Sequence, residues 1–133
     1  HPVAHSFPTR RSSDLTFEIL ERQLRGGLAD LDNSAMVRLV VAYEPVWAIG
    51  SGQTASNEQA QKAHAFIRNF LGDLFGPTTA RETRILYGGS VKPDNIDGLM
   101  KQSDVDGALV GGASLKVEDF TAIVKNAIEA LDL

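Results

Sequence analysis

The sequence predicts an α/β fold in which parallel strands alternate with helices. Apolar runs of strand length occur at residues 36–43, 84–87 and 106–110, and a segment with helical spacing follows each of them. The connections between these segments are short, which implies right-handed βαβ crossovers and therefore parallel strands. The pattern itself permits either an open doubly wound sheet or a piece of a (β/α)8 barrel.

A helix is predicted before the first strand, and we expect it to end near residues 30–33. Its apolar side chains recur every three or four positions and share one face: Phe17, Leu20, Leu24, Leu28 and Leu31. The strand at 36–43 is almost continuously apolar. We therefore expect this strand to be buried on both faces, as strands of parallel sheets are.

The second helix has a start and a stop signal. Ser56 with Gln59 three residues later fits a capping box, and Gly76 with Pro77 ends the helix. Its apolar stripe consists of Ala60, Ala63, Ile67, Phe70, Leu71 and Leu74. His64 lies near this stripe, and we interpret it as a packed or half-exposed helix residue rather than a catalytic one.

Two more strand and helix units complete the chain. The strand at 84–87 is followed by a helix that we expect to begin at Pro93 and to carry Ile96, Leu99 and Met100 on its inner face. The strand at 106–110 leads to a terminal helix. The apolar stripe of that helix consists of Phe120, Ile123, Val124, Ala127, Ile128 and Leu131.

Composition excludes several classes of function. The chain has 133 residues, 43% of them hydrophobic, and a formal net charge of -4, which argues against nucleic acid or an anionic membrane as the main partner. No run approaches the roughly 18 to 20 apolar residues that cross a bilayer. Because cysteine is absent, nothing in the sequence requires an oxidising compartment, and we expect a cytoplasmic protein. No metal-ligand cluster and no cofactor motif stand out, so we expect neither a metal nor a cofactor.

The first fifteen residues differ from the rest. Residues 1–15 show no apolar periodicity. With Arg10, Arg11, Ser12 and Ser13, their composition is similar to that of an organelle transit peptide. We prefer to interpret this segment as a translated sequencing adapter joined to a truncated reading frame. The sequence therefore predicts a non-native or disordered leader at 1–15 and a domain at 16–133.

Glu44 is the candidate catalytic residue. It is the first charged residue after the strand at 36–43, and functional side chains gather at the carboxyl ends of such strands. Its neighbours are apolar, so closure of a loop over it would remove water and raise its basicity toward the range of a general base. The alternative is a helix-capping acid or a surface ion pair.

The segment after Glu44 has the composition of a lid. Pro45 fixes its own φ, whereas Gly50 and Gly52 have free backbones, so the connection has a stiff start and a flexible end. The predicted lid consists of Pro45, Val46, Trp47, Ala48, Ile49, Gly50, Ser51, Gly52 and Gln53.

Two glycine pairs follow the next two strands. Gly88 and Gly89 precede Ser90, and Gly111 and Gly112 follow the last strand. Glycine lets the main chain approach an anion closely, and a following helix presents unpaired N–H groups. A tight turn is the better explanation of one such pair alone, but two pairs after successive strands predict a phosphate-binding site.

Three segments, residues 42–52, 87–91 and 109–114, resemble in this order the motifs of the triosephosphate isomerase family. The resemblance covers about residues 16–131 and implies a (β/α)8 barrel of which this chain holds the C-terminal portion: helix 5, then strand and helix units 6, 7 and 8. This chain departs from the family's pattern at Ser51 and Gln53, where family members often carry Thr and Lys.

The resemblance also implies a reaction. In that family the residue at the position of Glu44 moves a proton between adjacent carbons through an enediolate while the loop closes. Triosephosphate isomerases are themselves a standard example of this chemistry, so the mechanism is what the resemblance implies and does not follow from the residues alone. The resemblance implies that Gly50, Ser90, Gly111 and Gly112 bind the phosphate of dihydroxyacetone phosphate or glyceraldehyde 3-phosphate.

The family's lysine and histidine, which polarise the substrate carbonyl, come from the first half of the barrel, as do most contacts of its homodimer. Loss of one oxyanion donor typically costs about a hundred- to a thousand-fold in rate, so we expect this chain alone to be inactive. A non-catalytic phosphate-binding half-barrel module is the alternative function. Three strands cannot close a barrel, so we also expect exposed sheet edges and marginal stability.

Overall fold

A computed structural model describes residues 12–45 and 54–132 of the chain. The helices in chain order are α1 (Ser12–Gly27), α2 (Asn33–Met36), α3 (Asn57–Phe75), α4 (Pro77–Glu82), α5 (Ile96–Met100) and α6 (Val117–Ala130). The strands are β1 (Val40–Tyr43), β2 (Arg84–Tyr87) and β3 (Gly107–Ala108), and a 3-10 turn (Gly112–Leu115) precedes α6. The predicted leader at residues 1–15 lies mostly outside the described residues, and α1 begins at Ser12.

The three strands form one parallel sheet in the order β1-β2-β3. Helices α3 and α4 connect β1 to β2, and α5 lies between β2 and β3. The prediction of an α/β fold with parallel strands is therefore confirmed. Parallel pairing brings the carboxyl ends of all three strands to the same edge of the sheet.

The two faces of the sheet differ in burial. Ile85 and Tyr87 stand two residues apart on β2, so they point to one face, and both are 0% exposed. The opposite face carries Val40, which is 53% exposed, and Ala42, which is also exposed. Leu86 lies beside Ala42 on that face and is only half-buried. Among the described residues the helices thus cover one face of the sheet.

The prediction for the first strand is wrong at its start and in its burial. Residues 36–39 do not belong to β1, because Asp32 caps the short helix α2: its carboxylate accepts the N–H of Ala35 at 2.9 Å and the hydroxyl of Ser34 at 2.8 Å. β1 is also an edge strand with one open face, which explains why it is not buried on both sides.

The predicted signals of α3 are confirmed. The Ser56 hydroxyl accepts the N–H of Gln59 at 3.1 Å, and the Gln59 side chain accepts the N–H of Ser56 at 2.9 Å. At the other end Gly76 adopts φ 94°, which favours glycine, and Pro77 begins α4. The sequence did not predict α4 as a helix of its own.

The later elements are shorter than predicted. β2 has the expected bounds, but α5 begins at Ile96, after a turn over residues 93–95, rather than at Pro93. Its predicted inner residues Ile96, Leu99 and Met100 are buried. β3 pairs over only two residues instead of the predicted 106–110.

The terminal helix is confirmed, but most of its apolar stripe is exposed. Ile123 is 4% exposed, whereas Phe120, Val124 and Ile128 are 43–44% exposed. The helix packs mainly against α5 and the 3-10 turn. We refer to Phe120, Val124 and Ile128 as the open face of α6.

Candidate active site

The candidate site lies at the carboxyl edge of the sheet. Glu44 follows β1 directly, and main-chain pairing between neighbouring strands continues past their carboxyl ends. The N–H of Gly88 donates to the carbonyl of Tyr43 at 2.9 Å, and the N–H of Leu109 donates to the carbonyl of Tyr87 at 2.9 Å. Gly88 is therefore held next to the end of β1, and Leu109, two residues before Gly111, is held next to the end of β2.

A cleft of about 630 Å³ opens at this edge. Its lining includes Glu44, Ser90, Gly111 and Gly112, which the sequence predicted as one catalytic and three phosphate-binding residues. The structure thus brings together four predicted residues that lie as many as 68 positions apart in the sequence, which is 112 - 44. Their proposed roles stay predictions at this point.

The carboxylate and the lid are described to different extents. Glu44 is exposed at the mouth of the cleft, and Pro45 is buried. The remaining predicted lid residues, including Gly50, lie outside the described residues. The expected desolvation of Glu44 by lid closure therefore stays a prediction.

Gly89 is a glycine for steric reasons. A Cβ at this position would contact the hydroxyl of Tyr87, would lie 2.7 Å from the Cζ atom of the same ring, and would lie 3.0 Å from the Cδ atom of Pro45. Tyr87 is not free to move, because it is fully buried and its hydroxyl accepts the N–H of Ala55 at 3.1 Å. The segment after β2 therefore runs closer to its neighbours than any residue with a side chain would allow.

Gly111 and Gly112 are glycines for a different reason. Both are exposed, and a Cβ at either position would meet no atom within 4 Å. Packing within the described chain therefore does not require glycine here. The absence of side chains instead leaves main-chain groups open toward the cleft, as the predicted phosphate site requires.

Two lysines of the cleft were missed by the sequence reasoning. Lys92 and Lys116 both line it, and neither takes part in the ion pairs found among residues 12–45 and 54–132. The signal was present, because each lysine follows a glycine pair within four residues. Asp119, in the first turn of α6, is a further charged residue of the lining.

His64 is confirmed as a packed helix residue. It is 0% exposed, its Nδ1 lies 3.1 Å from the carbonyl of Asp104, and it does not line the cleft. Burial lowers its pKa, so the ring is neutral at neutral pH. Burial, and then the neighbouring Tyr87, raise the pKa of Tyr43 to about 12, so this tyrosine stays protonated.

The described residues contain neither a membrane-spanning helix nor a cluster of metal-binding side chains. No helix in the described part of the chain is both long and apolar enough to span a bilayer. No group of three or more His, Cys, Asp or Glu side chains with the spacing of a metal site occurs among the same residues.

Comparison with known proteins identifies the family. The family model of triosephosphate isomerase matches residues 6–127. Curated triosephosphate isomerases of Syntrophotalea carbinolica and Trichlorobacter lovleyi are 63% identical over 115 residues and 59% identical over 123 residues. These matches cover 86% and 92% of this chain but 46% and 49% of the relatives, so the chain spans about half the length of the curated relatives it matches. The chain belongs to the triosephosphate isomerase family.

Proposed function

We propose that this chain forms the C-terminal portion of a (β/α)8 barrel and supplies the general base and the phosphate-binding segments of a triosephosphate isomerase. The reaction is the interconversion of dihydroxyacetone phosphate and D-glyceraldehyde 3-phosphate. The observation that carries the proposal is the single cleft lined by Glu44, Ser90, Gly111 and Gly112 at the ends of three neighbouring parallel strands.

The chemistry needs few groups. The Glu44 carboxylate removes a proton from the carbon next to the substrate carbonyl, and the resulting enediolate regains a proton on the neighbouring carbon. The hydroxyl proton of the substrate moves from one oxygen to the other in the same conversion, so that the hydroxyl and the carbonyl exchange places. Main-chain N–H groups at Gly50, Ser90, Gly111 and Gly112 hold the phosphate, so that the reacting carbons stay beside the carboxylate. No step requires a metal or a cofactor.

The uneven burial of the sheet supports assignment to a barrel. Parallel sheets are normally covered on both faces, and in a barrel the inner face packs against the inner faces of the other strands. Val40 and Ala42 lie on the face that no described helix covers. We assign this face to the interior of the complete barrel.

Further properties follow from the family and belong to the same proposal. The complete protein would act on a small phosphorylated triose in glycolysis and gluconeogenesis, in the cytoplasm, as a homodimer whose interface lies mostly outside this chain. The chain by itself would be nearly inactive, because the groups that polarise the substrate carbonyl in the family come from the other half of the barrel.

A non-catalytic phosphate-binding half-barrel module is the second candidate. It is favoured by the absence of histidine from the described lining of the cleft, since His64 is buried elsewhere. Such a module would bind a phosphorylated triose without converting it.

Restoring the other half tests the first proposal. Residues 16–133 would be joined to the N-terminal half of the Syntrophotalea carbinolica relative, and isomerisation of glyceraldehyde 3-phosphate would be measured. We expect turnover in this fused enzyme and a loss of about a hundredfold or more in kcat for Glu44→Gln. Glu82→Gln, an exposed glutamate outside the cleft, is the matched control and should leave kcat unchanged.

The outcomes separate the two functions. Full turnover of the Glu44→Gln enzyme would refute the assignment of the base. A folded but inactive fused enzyme, together with binding of glycerol 3-phosphate to the 133-residue chain, would favour the module. Turnover by the 133-residue chain alone would contradict both expectations for the isolated chain.

A further inference from the structure

Ser90 has a main-chain conformation that needs support. Its φ is 63°, in the left-handed region where residues other than glycine are uncommon. Its side chain contributes nothing to this conformation, because the hydroxyl makes no hydrogen bond with any residue in 12–45 or 54–132. Such a conformation persists only where the surrounding structure holds it.

Asn95 supplies the first support. It stands at the position that would cap α5, yet it makes no capping bond to that helix. Instead its amide nitrogen donates to the carbonyl of Ser90 at 2.8 Å, and its amide oxygen accepts the N–H of Lys92 at 2.8 Å. Both ends of one side chain therefore close the turn that follows Ser90.

Thr54 supplies the second support, from the first described residue after the predicted lid. Its hydroxyl donates to the carbonyl of Gly89 at 3.0 Å and lies 3.4 Å from the amide nitrogen of Asn95. The peptide between Gly89 and Ser90 is trans and planar, so its N–H points opposite to its carbonyl. By fixing the Gly89 carbonyl, Thr54 also fixes the direction of the Ser90 N–H.

The N–H that is oriented in this way belongs to a residue of the cleft lining. Ser90 lines the cleft, and its N–H donates to no acceptor within the described residues. The carbonyls on either side of it are both occupied by side-chain donors. The segment thus offers the Ser90 N–H as a donor, while the two carbonyls that would repel an anion accept hydrogen bonds from Thr54 and Asn95.

We propose that Asn95 and Thr54 are positioning residues that orient the Ser90 N–H toward the phosphate of the substrate. This inference rests on the proposed function, since it assigns a role within the same cleft. It adds two residues that touch neither the reacting carbons nor the phosphate. It also places one of them at the end of the predicted lid and the other before α5.

Binding of glycerol 3-phosphate to the 133-residue chain, followed by amide NMR, tests the proposal. We expect Asn95→Ala and Thr54→Val each to weaken binding about tenfold, the effect of one lost orienting hydrogen bond. Thr54→Ser keeps the hydroxyl and should bind within about twofold of the parent chain. The Ser90 amide resonance should shift on binding in the parent chain and shift less in the two weakened variants.

Asn126→Ala is the matched control. The amide of Asn126 donates to the carbonyl of Pro93 at 2.8 Å, so this variant removes a bond of the same kind and length from the neighbouring turn. It removes one hydrogen bond where Asn95→Ala removes two, and it should change glycerol 3-phosphate affinity by less than about twofold. In the fused enzyme, Asn95→Ala should raise KM more than it lowers kcat.

The outcomes distinguish this inference from the proposed function. If the parent chain binds and the Asn95 and Asn126 variants lose affinity equally, or neither loses any, the positioning role is refuted and the phosphate site stands. If the parent chain and the fused enzyme both fail to bind glycerol 3-phosphate, the phosphate site itself is refuted and the positioning role with it.

Discussion

Arg68 is the residue whose loss we expect to destabilise this chain most among its charged side chains. Its guanidinium donates to both carboxylates, at 2.7 Å to Asp104 and 2.6 Å to Asp106. It also donates to the carbonyls of Ala80 and Thr83, at 2.7 and 3.0 Å. Arg68 therefore joins α3 to the end of α4 and to the segment before β3, at the edge of the sheet opposite the cleft.

The magnitude follows from the partial burial of these groups. The side chains of Arg68, Asp104 and Asp106 are 17%, 22% and 32% exposed. Breaking a fully buried pair costs about 3–5 kcal/mol, whereas an exposed pair is worth about 0.2–1 kcal/mol. Because solvent reaches all three side chains, and Asp104 keeps its bonds to Gln61, we expect Arg68→Met to cost about 2–3 kcal/mol.

Urea unfolding of the 133-residue chain, followed by circular dichroism, measures this loss. Lys101→Met is the matched control, because its pair with Asp97 has side chains that are 60% and 51% exposed and should contribute no more than about 0.5 kcal/mol. A loss for Arg68→Met that is no larger than that of the control would refute the reasoning. A double-mutant cycle with Asp106→Asn would then locate the error.

Three further predictions concern packing and pH. Gly89→Ala should lower the free energy of unfolding by about 1–3 kcal/mol, because its Cβ would press on Tyr87. The Cβ of Gly111→Ala would meet no atom within 4 Å, so this variant should lose less than about 0.5 kcal/mol, and equal losses in thermal unfolding would contradict the prediction. The pKa of His64 is lowered in the folded chain, so below about pH 6.5 the unfolded state binds more protons than the folded state and the free energy of unfolding should fall. In urea unfolding at pH 5 to 7, His64→Asn should lessen this fall. Val40→Lys should change the free energy of unfolding of the 133-residue chain by less than about 0.5 kcal/mol, because Val40 is exposed there. The same substitution should disrupt the fused enzyme, where we expect this side chain to be buried, and similar effects in both proteins would count against the barrel.

Local signals predicted much of the fold. The capping box at Ser56 and the glycine at position 76 act through neighbouring atoms, so the bounds of α3 could be read from a few residues. The burial of β1 could not. An apolar run records that a strand can be buried, but the sheet order and the packing of helices decide which of its faces is covered.

The site was predictable only where strand ends mark it. Glu44 follows β1 directly, and the glycine pairs begin within three residues of the ends of β2 and β3, so parallel pairing brings them together without any further information. Thr54 and Asn95 are 41 positions apart, and each is an ordinary turn residue by itself. Arg68 and its carboxylate partners are 36 and 38 positions apart, so no spacing rule joins them.

The open face of α6 and the open face of the sheet point to the same cause. The stripe of α6 has the helical period of a core-facing helix, yet three of its large side chains are 43–44% exposed. Val40 and Ala42 are exposed on a parallel strand, where side chains are normally covered. One packing partner that covers both the open face of α6 and the open face of the sheet is a simpler explanation than two unrelated causes. Because a closed barrel covers its inner sheet face and the flanks of its outer helices at once, the proposed barrel accounts for both faces with one assumption.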